Sequence, residues 1–514
     1  MKKNKKNKNG TALAYALVIM AVVSILLVSS LQYISSQIKF GFYRENKEKS
    51  LQVAEAGVYF YRWYLAHQVS GKTAQQIEDF WNNGNPYGVN EPYEAEFFDP
   101  EGGVIGKYKI EVQKPETGST ITYVKSTGWT YKNPDIKRVV QVRFRRPSWS
   151  EHAVLADDFM RFGINTSVYG KIHSNFGIRF DGVAHNIVSS SVYQWDDPDH
   201  SGNNEFGVHT HISPADPLPP SAIPQRVDVF EAGRHFPLPE ISFTGVLSDL
   251  GYMKSQAQSG QGKYFNNQQL NGNKTDSGRW IKLKTDGTYD ICAVNTYNTS
   301  SKGIFNYRGI IAGATGSYSS TNGNACATAN CCAYASCGWI KASKQSQGKC
   351  VSLENNNIPN NGIIFVEGNV WVEGIINNKR VTIVAANLIG GTPADVYIGI
   401  NDLLYTNFNG KDIIGLIGQN NISVVRDSKS TLVIDAALLA QSGRVGRNYY
   451  SSTYDKNTIT INGSIATKLR YGFAYTDGTG YTNRNLNFDN NLLYFPPPYF
   501  PTGTEYSLDL WNEL

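Results

Sequence analysis

From Thr11 to Ile38 the chain carries no charged residue, and Ala12–Leu31 is almost wholly apolar. About 20 consecutive apolar residues match the hydrocarbon thickness of a bilayer, and a backbone placed there must satisfy its own hydrogen bonds, so this stretch is predicted to be a membrane-spanning helix. Lys2, Lys3, Lys5, Lys6 and Lys8 precede it with no acidic residue among them. That flank holds the N-terminus in the cytoplasm and sends the remainder across. Ala12, Leu17, Val22, Leu27 and Leu31 mark the anchor. A cleavable signal peptide is the alternative, but its apolar core would be only about 7–15 residues and would end at a small-residue cut site. Here the helical pattern runs on. Leu51, Ala54, Val58, Tyr61 and Leu65 recur at steps of three and four, and no proline interrupts Thr11–Leu65. The reading is one helix over residues 11–66, about 80 Å long, half in lipid and half carrying an apolar packing stripe.

Charge supports a removable leader at residues 1–10. The formal charge is +5, and without the five leader lysines the 48 basic residues fall to match the 43 acidic ones. The remaining chain has no basic bias toward nucleic acid or anionic lipid, and no nucleic-acid partner is evident. The six cysteines, Cys292, Cys326, Cys331, Cys332, Cys337 and Cys350, fall in one stretch. An even, clustered set in an exported chain predicts disulfides, with the pairing left open. Zinc is the weaker reading, because Cys331 and Cys332 are adjacent and no CxxC pair or nearby histidine completes a tetrahedral set.

A Lys-rich leader, a glycine, an apolar stretch and an amphipathic extension together resemble the class III signal and N-terminal helix of type IV pilins. Glu45–Gly57 (ENKEKSLQVAEAG) resembles the helix end of PilX-type minor pilins. The resemblance implies cleavage by prepilin peptidase between Gly10 and Thr11, methylation at the new N-terminal Thr11, and partnership with other pilin subunits and the pilus assembly machinery. It also implies a single-pass protein with its ectodomain outside the cytoplasm. Major pilins carry Glu at the fifth mature position, where it neutralises a neighbour's N-terminal amine. Here that position is Tyr15. The same absence occurs in PilX-like subunits and in the tip pseudopilin of type II secretion, so the resemblance points to a minor or tip subunit. The alternative is a membrane-anchored surface adhesin or binding module that enters no filament.

Residues 67–149 read as a small membrane-proximal β domain. Residues 67–100 look loop-rich, and Tyr108–Gln113, Thr120–Ser126 and Val139–Phe144 alternate as strands. Ser126–Trp129 and Arg138–Arg146 also look similar to the matching part of PilX-type proteins. Residues 150–514 are expected to form a β-solenoid, right-handed β-helix-like, giving a mainly β protein. Apolar runs at Ile363–Val366, Val381–Ala386, Val396–Ile400, Ile413–Ile417, Leu432–Leu439 and Ile459–Ile465 recur with polar turns between them. Val366-Glu367-Gly368 repeats as Val372-Glu373-Gly374, and Phe162–Asp181 shows the same alternation. A sandwich of short strands is the alternative. Residues of about 250–350, holding the cysteines and a predicted helix over 246–258, read as an edge insertion. Phe495–Pro501 and the run to Leu514 read as a strap capping the last coil.

No catalytic constellation stands out, and no enzyme, cofactor or metal is expected. Asp157-Asp158 and Asp196-Asp197 are adjacent pairs, whose side chains point to opposite faces of a strand. No Gly-x-Ser-x-Gly, phosphate loop or His-Glu-x-x-His occurs. His200, His209 and His211 lie near Asp196, Asp197, Asp199 and Glu205, and on a strand His209 and His211 would share a face. The spacing is not that of an EF-hand, and a solvated polar loop is the plainer expectation.

Overall fold

The computed structural model describes residues 9–98, 102–116, 119–243, 246–266, 269–270, 274–275, 278–294, 351–399 and 401–514. The first element, α1 (Asn9–Val69), is one continuous helix. A short second helix, α2 (Ala74–Asn82), follows with a capping box in which Thr73 Oγ1 accepts from Gln76 N and Gln76 reaches back to Thr73 N. Four strands then meander antiparallel: β1 (Tyr93–Phe98), β2 (Val104–Gln113), β3 (Ile121–Thr130) and β4 (Asn133–Arg145). Residues 67–100 are therefore not mainly loop. Ile77 and Trp81 give α2 one buried face, and the six-residue β1 alternates weakly between half-buried and exposed positions.

The fifth strand of this sheet is the chain's terminal strand, Ser507–Glu513, paired antiparallel with β4. It caps no coil. Phe495–Pro501 lies along the flank of the larger domain, where Thr382 Oγ1 and Arg380 donate to the carbonyls of Pro498 and Pro496. The chain then crosses beside its own outgoing path, with Ser148 bridged to Thr502, and returns to the membrane-proximal sheet. The expected boundary at residue 150 thus omits this returning strand.

The larger domain is built mainly from parallel strand pairs. One ladder stacks Ile364, Ile383, Leu416, Leu438, Ile465, Val154, Ile172 and Val188 in register, all fully buried. Each such side chain stabilises by roughly 1.5–3 kcal/mol when buried. The column runs out of chain order. Val154–Ala156, the first strand of the domain, sits on the end of Lys456–Thr467, so the early and late segments form one stack. The apolar runs also do not mark one turn each. Val381–Ala386 pairs with Ile363–Glu367, but Val396–Ile398 pairs with the second-face strands Asn369–Ile376 and Ile422–Val424. Successive apolar runs therefore fall in different ladders, and counting them as one series shortens the apparent period. The predicted helix is present as α3 (Val246–Gln258). The surrounding segment is not wholly an insertion, since Lys263–Phe265 and Gly278–Leu283 join the stack in parallel.

Candidate functional site

Burial divides α1 into two halves. Ala12, Leu17, Val22, Leu27 and Leu31 are exposed, as is every large apolar side chain from Leu13 to Tyr43. This is the one helix among the described residues long and apolar enough to cross a membrane. Gly10 and Thr11 lie in its first turns, and Tyr15 is exposed. Burial begins at Asn46 and Ser50. Ala54, Val58, Tyr61 and Leu65 are fully buried against the sheet, while Leu51 is half-buried at the rim. Val53 and Val69 join them, which the three-four spacing did not select. The Ala54-Glu55-Ala56-Gly57 segment has a steric role. A Cβ on Gly57 would lie 2.3 Å from Ser126 Oγ, and one on Gly128 of β3 would lie 2.2 Å from Ala54 N. Small residues on both sides let helix and strand meet backbone to backbone, and Ser50 Oγ fixes the contact by donating to Ile136 O at 2.8 Å.

Cys292 lies in the strand Thr288–Ala293. Cys326, Cys331, Cys332, Cys337 and Cys350, and with them the expected disulfides, lie outside the described residues.

The acidic and histidine-rich stretch is not simply a solvated loop. Gln194–Trp195 and Glu205–Phe206 pair as a short hairpin over the strand Val208–His209, which itself pairs in parallel with Ile178–Phe180. This folds Asp197, Glu205 and His209 into the interior, while Asp196 and His200 stay exposed. His211 Nε2 donates to Glu205 Oε1 at 2.6 Å, and His200 Nδ1 stands 3.3 Å from the same oxygen. His209 Nδ1 donates to Phe206 O at 3.1 Å, which turns its Nε2 toward Glu205 Oε2 at 2.8 Å and Asp197 Oδ2 at 3.7 Å. Those last three atoms are buried yet form no aligned hydrogen bond, so the contacts between them are electrostatic. Burial opposes a charge on His209, but the facing Asp197 and Glu205 outweigh it and raise its pKa to about 9. Burial likewise opposes charge on Asp197, and His209 and the Asp199 amide prevail, holding it down at about 2.

The paired acids expected not to form a site diverge. Asp157 pairs with Lys468, and Asp158 accepts from Arg470 N at 3.0 Å. Beside the histidine cluster runs a groove lined by Arg161, Arg179, Arg444, Arg470 and Arg484 with Tyr471 and Tyr475. Sequence reading missed it because the arginines come from distant segments. Several act as staples between turns. Arg484 donates to the carbonyls of Tyr481, Thr482 and Ile164, and Arg444 to those of Arg447 and Gly472.

Where the chain joins the stack, His152 has a buried Nδ1 without a partner, and its ring lies 6.2 Å from that of His173. Burial, with His173 and Lys171 nearby, lowers its pKa from 6.5 to about 4. The folded state therefore binds this proton less readily than the unfolded state. Its contribution is complete above about pH 6.5 and is lost as pH falls toward 4, by up to roughly 3 kcal/mol. His152→Gln is expected to flatten the fall in unfolding midpoint between pH 6.5 and 4, measured by calorimetry in detergent. An unchanged slope would refute the assignment.

No protein-family model matches this chain, and no curated protein matches it. Among solved structures, the competence-associated pilin ComZ from Thermus thermophilus is similar at 11% identity and a TM-score of 0.25, over 91% of this chain and 98% of that one.

Proposed function

We propose that the chain is a minor, non-enzymatic subunit of a type IV pilus or pilus-like assembly, of the PilX type and located at or near the tip. On this reading residues 1–10 are a leader, α1 anchors the protein and packs among other pilin helices, and the membrane-proximal sheet carries a β-solenoid outside the cell. The observation that carries it is the division of α1. One uninterrupted helix leaves its first half bare and seats its second half on a small antiparallel sheet. A bare apolar half of this length is stable only in lipid or against other helices. The lack of a glutamate at Tyr15 favours an accessory subunit, because a carboxylate in lipid is retained only where a partner charge needs it. Disulfides among the six cysteines would stiffen the displayed domain.

Processing tests this reading. In a host with prepilin peptidase, mass spectrometry of the mature chain is expected to find an N-methylated N-terminus at Thr11, and Gly10→Leu to leave the leader attached. An uncut Met1 would instead support the plain anchored adhesin, and a cut after the apolar run would support a cleaved signal peptide; either result would sink the pilin reading.

A further inference from the structure

We propose that Asp197, Glu205, His209 and His211 form a binding site for a divalent transition-metal ion of the zinc class. One donor atom from each residue lies within 4.8 Å of all the others. The contacts already span 2.6 Å between His211 and Glu205, 2.8 Å between His209 and Glu205, and 3.7 Å between His209 and Asp197. Donors around a tetrahedral zinc stand about 3.3 Å apart, so small side-chain adjustments would seat the ion.

Three observations separate this cluster from an ordinary surface group of charges. First, the Asp197 side chain is 1% exposed, Glu205 6% and His209 2%, and each has an inward-facing atom with no hydrogen-bond partner. Second, the ring orientation is set for ligation. The bond from His209 Nδ1 to Phe206 O aims Nε2 at the carboxylates, where an incoming ion would take the place of its proton, the arrangement seen where a backbone carbonyl orients a metal-bound imidazole. Third, the ligand-bearing segment is held from outside. Asp181 Oδ1 accepts from His211 N at 2.9 Å, and Asp216 Oδ2 accepts from Thr210 N at 3.1 Å. Two imidazole nitrogens with two carboxylate oxygens suit zinc or its neighbours; calcium prefers six to eight oxygens. The nearest competing cation is Arg179, 3.5 Å from Asp197 Oδ2 but bonded at 2.7 Å to Asp181, so it steadies the site's rim without filling the centre. Two carboxylates would neutralise the ion.

The test uses the full-length protein in detergent micelles, stripped with EDTA and dialysed. Calorimetric titration with zinc chloride is expected to give one site that both His211→Ala and Glu205→Gln weaken by at least roughly 100-fold. Cobalt chloride should give the visible absorption of a tetrahedral nitrogen–oxygen site, without a thiolate band, and both variants should abolish it. His211 lies at the edge of the cluster, so its variant should keep the wild-type circular dichroism even if a change at buried His209 unfolds the region. Absence of zinc binding by the wild type would overturn the proposal and leave an ion-paired, protonated His209. Undiminished binding in both variants, or a thiolate spectrum, would overturn it by placing the metal elsewhere.

Discussion

Gly128→Leu is expected to lift α1 off its sheet and destabilise the membrane-proximal unit by at least ~3 kcal/mol. A Cβ at that position would stand 2.2 Å from Ala54 N and 2.5 Å from Ser50 O. Both are backbone atoms of a helix, which cannot rotate aside as a side chain can. The helix must therefore retreat, and the buried stripe from Ala54 to Leu65 loses contact along its length. Overpacking against a yielding neighbour costs about 1–3 kcal/mol, and a rigid one should exceed that range. Gly57→Ala is the milder companion, because its nearest obstacle is the rotatable Ser126 Oγ at 2.3 Å, and about 1 kcal/mol is expected. Hydrogen exchange read over Ser50–Val69 and β3 would register the difference. Wild-type protection in Gly128→Leu would show that the close approach does not hold the two elements together.

This contact also marks how far the sequence could be read. Local periodicity was legible: the stripe Ala54, Val58, Tyr61 and Leu65 and the helix over 246–258 follow from spacing alone, because a face repeating every three or four residues needs no knowledge of its partner. Gly128 was not legible as a contact. Its role lies in what a missing side chain admits, and that depends on an element far away in sequence. The same limit hid the order of the larger domain. Ile465 and Val154 are ordinary strand residues, and nothing local says that one stacks on the other. The spacing of apolar runs misled for a related reason, since strands on different faces of a turn look alike in one dimension. The histidine cluster fell between these extremes. Alternation suggested that His209 and His211 share a face, but the burial of Asp197 and Glu205 arises from a hairpin whose strands are only two residues each.

Removing Tyr506–Leu514 is expected to melt the helix–sheet unit separately from the larger domain. The terminal strand supplies more than an edge. Tyr506 is buried and accepts from Trp81 Nε1 at 3.1 Å, while Leu508 and Trp511 pack on the core beneath α1. Asp509 accepts from Arg143 Nε at 2.8 Å and Nη2 at 2.9 Å, and from Arg145 Nε at 2.7 Å. Loss of the three apolar side chains alone removes about 5 kcal/mol, which is comparable to the whole stability of a small domain. The truncation also leaves Arg143 without its carboxylate and exposes the backbone edge of β4, an open template for unwanted pairing. Calorimetry in detergent should resolve an early transition for the membrane-proximal unit, with the larger domain melting where it does in the full chain. A synthetic peptide spanning Tyr506–Leu514 should restore the single transition by adding back the strand, because the vacant edge of β4 keeps its register. An Asp509→Ala peptide should rescue less, since it carries the apolar contacts without the arginine clamp. A truncated chain that melts in one transition at the full-length midpoint would mean that the returning strand is ornament to a sheet already complete at β4.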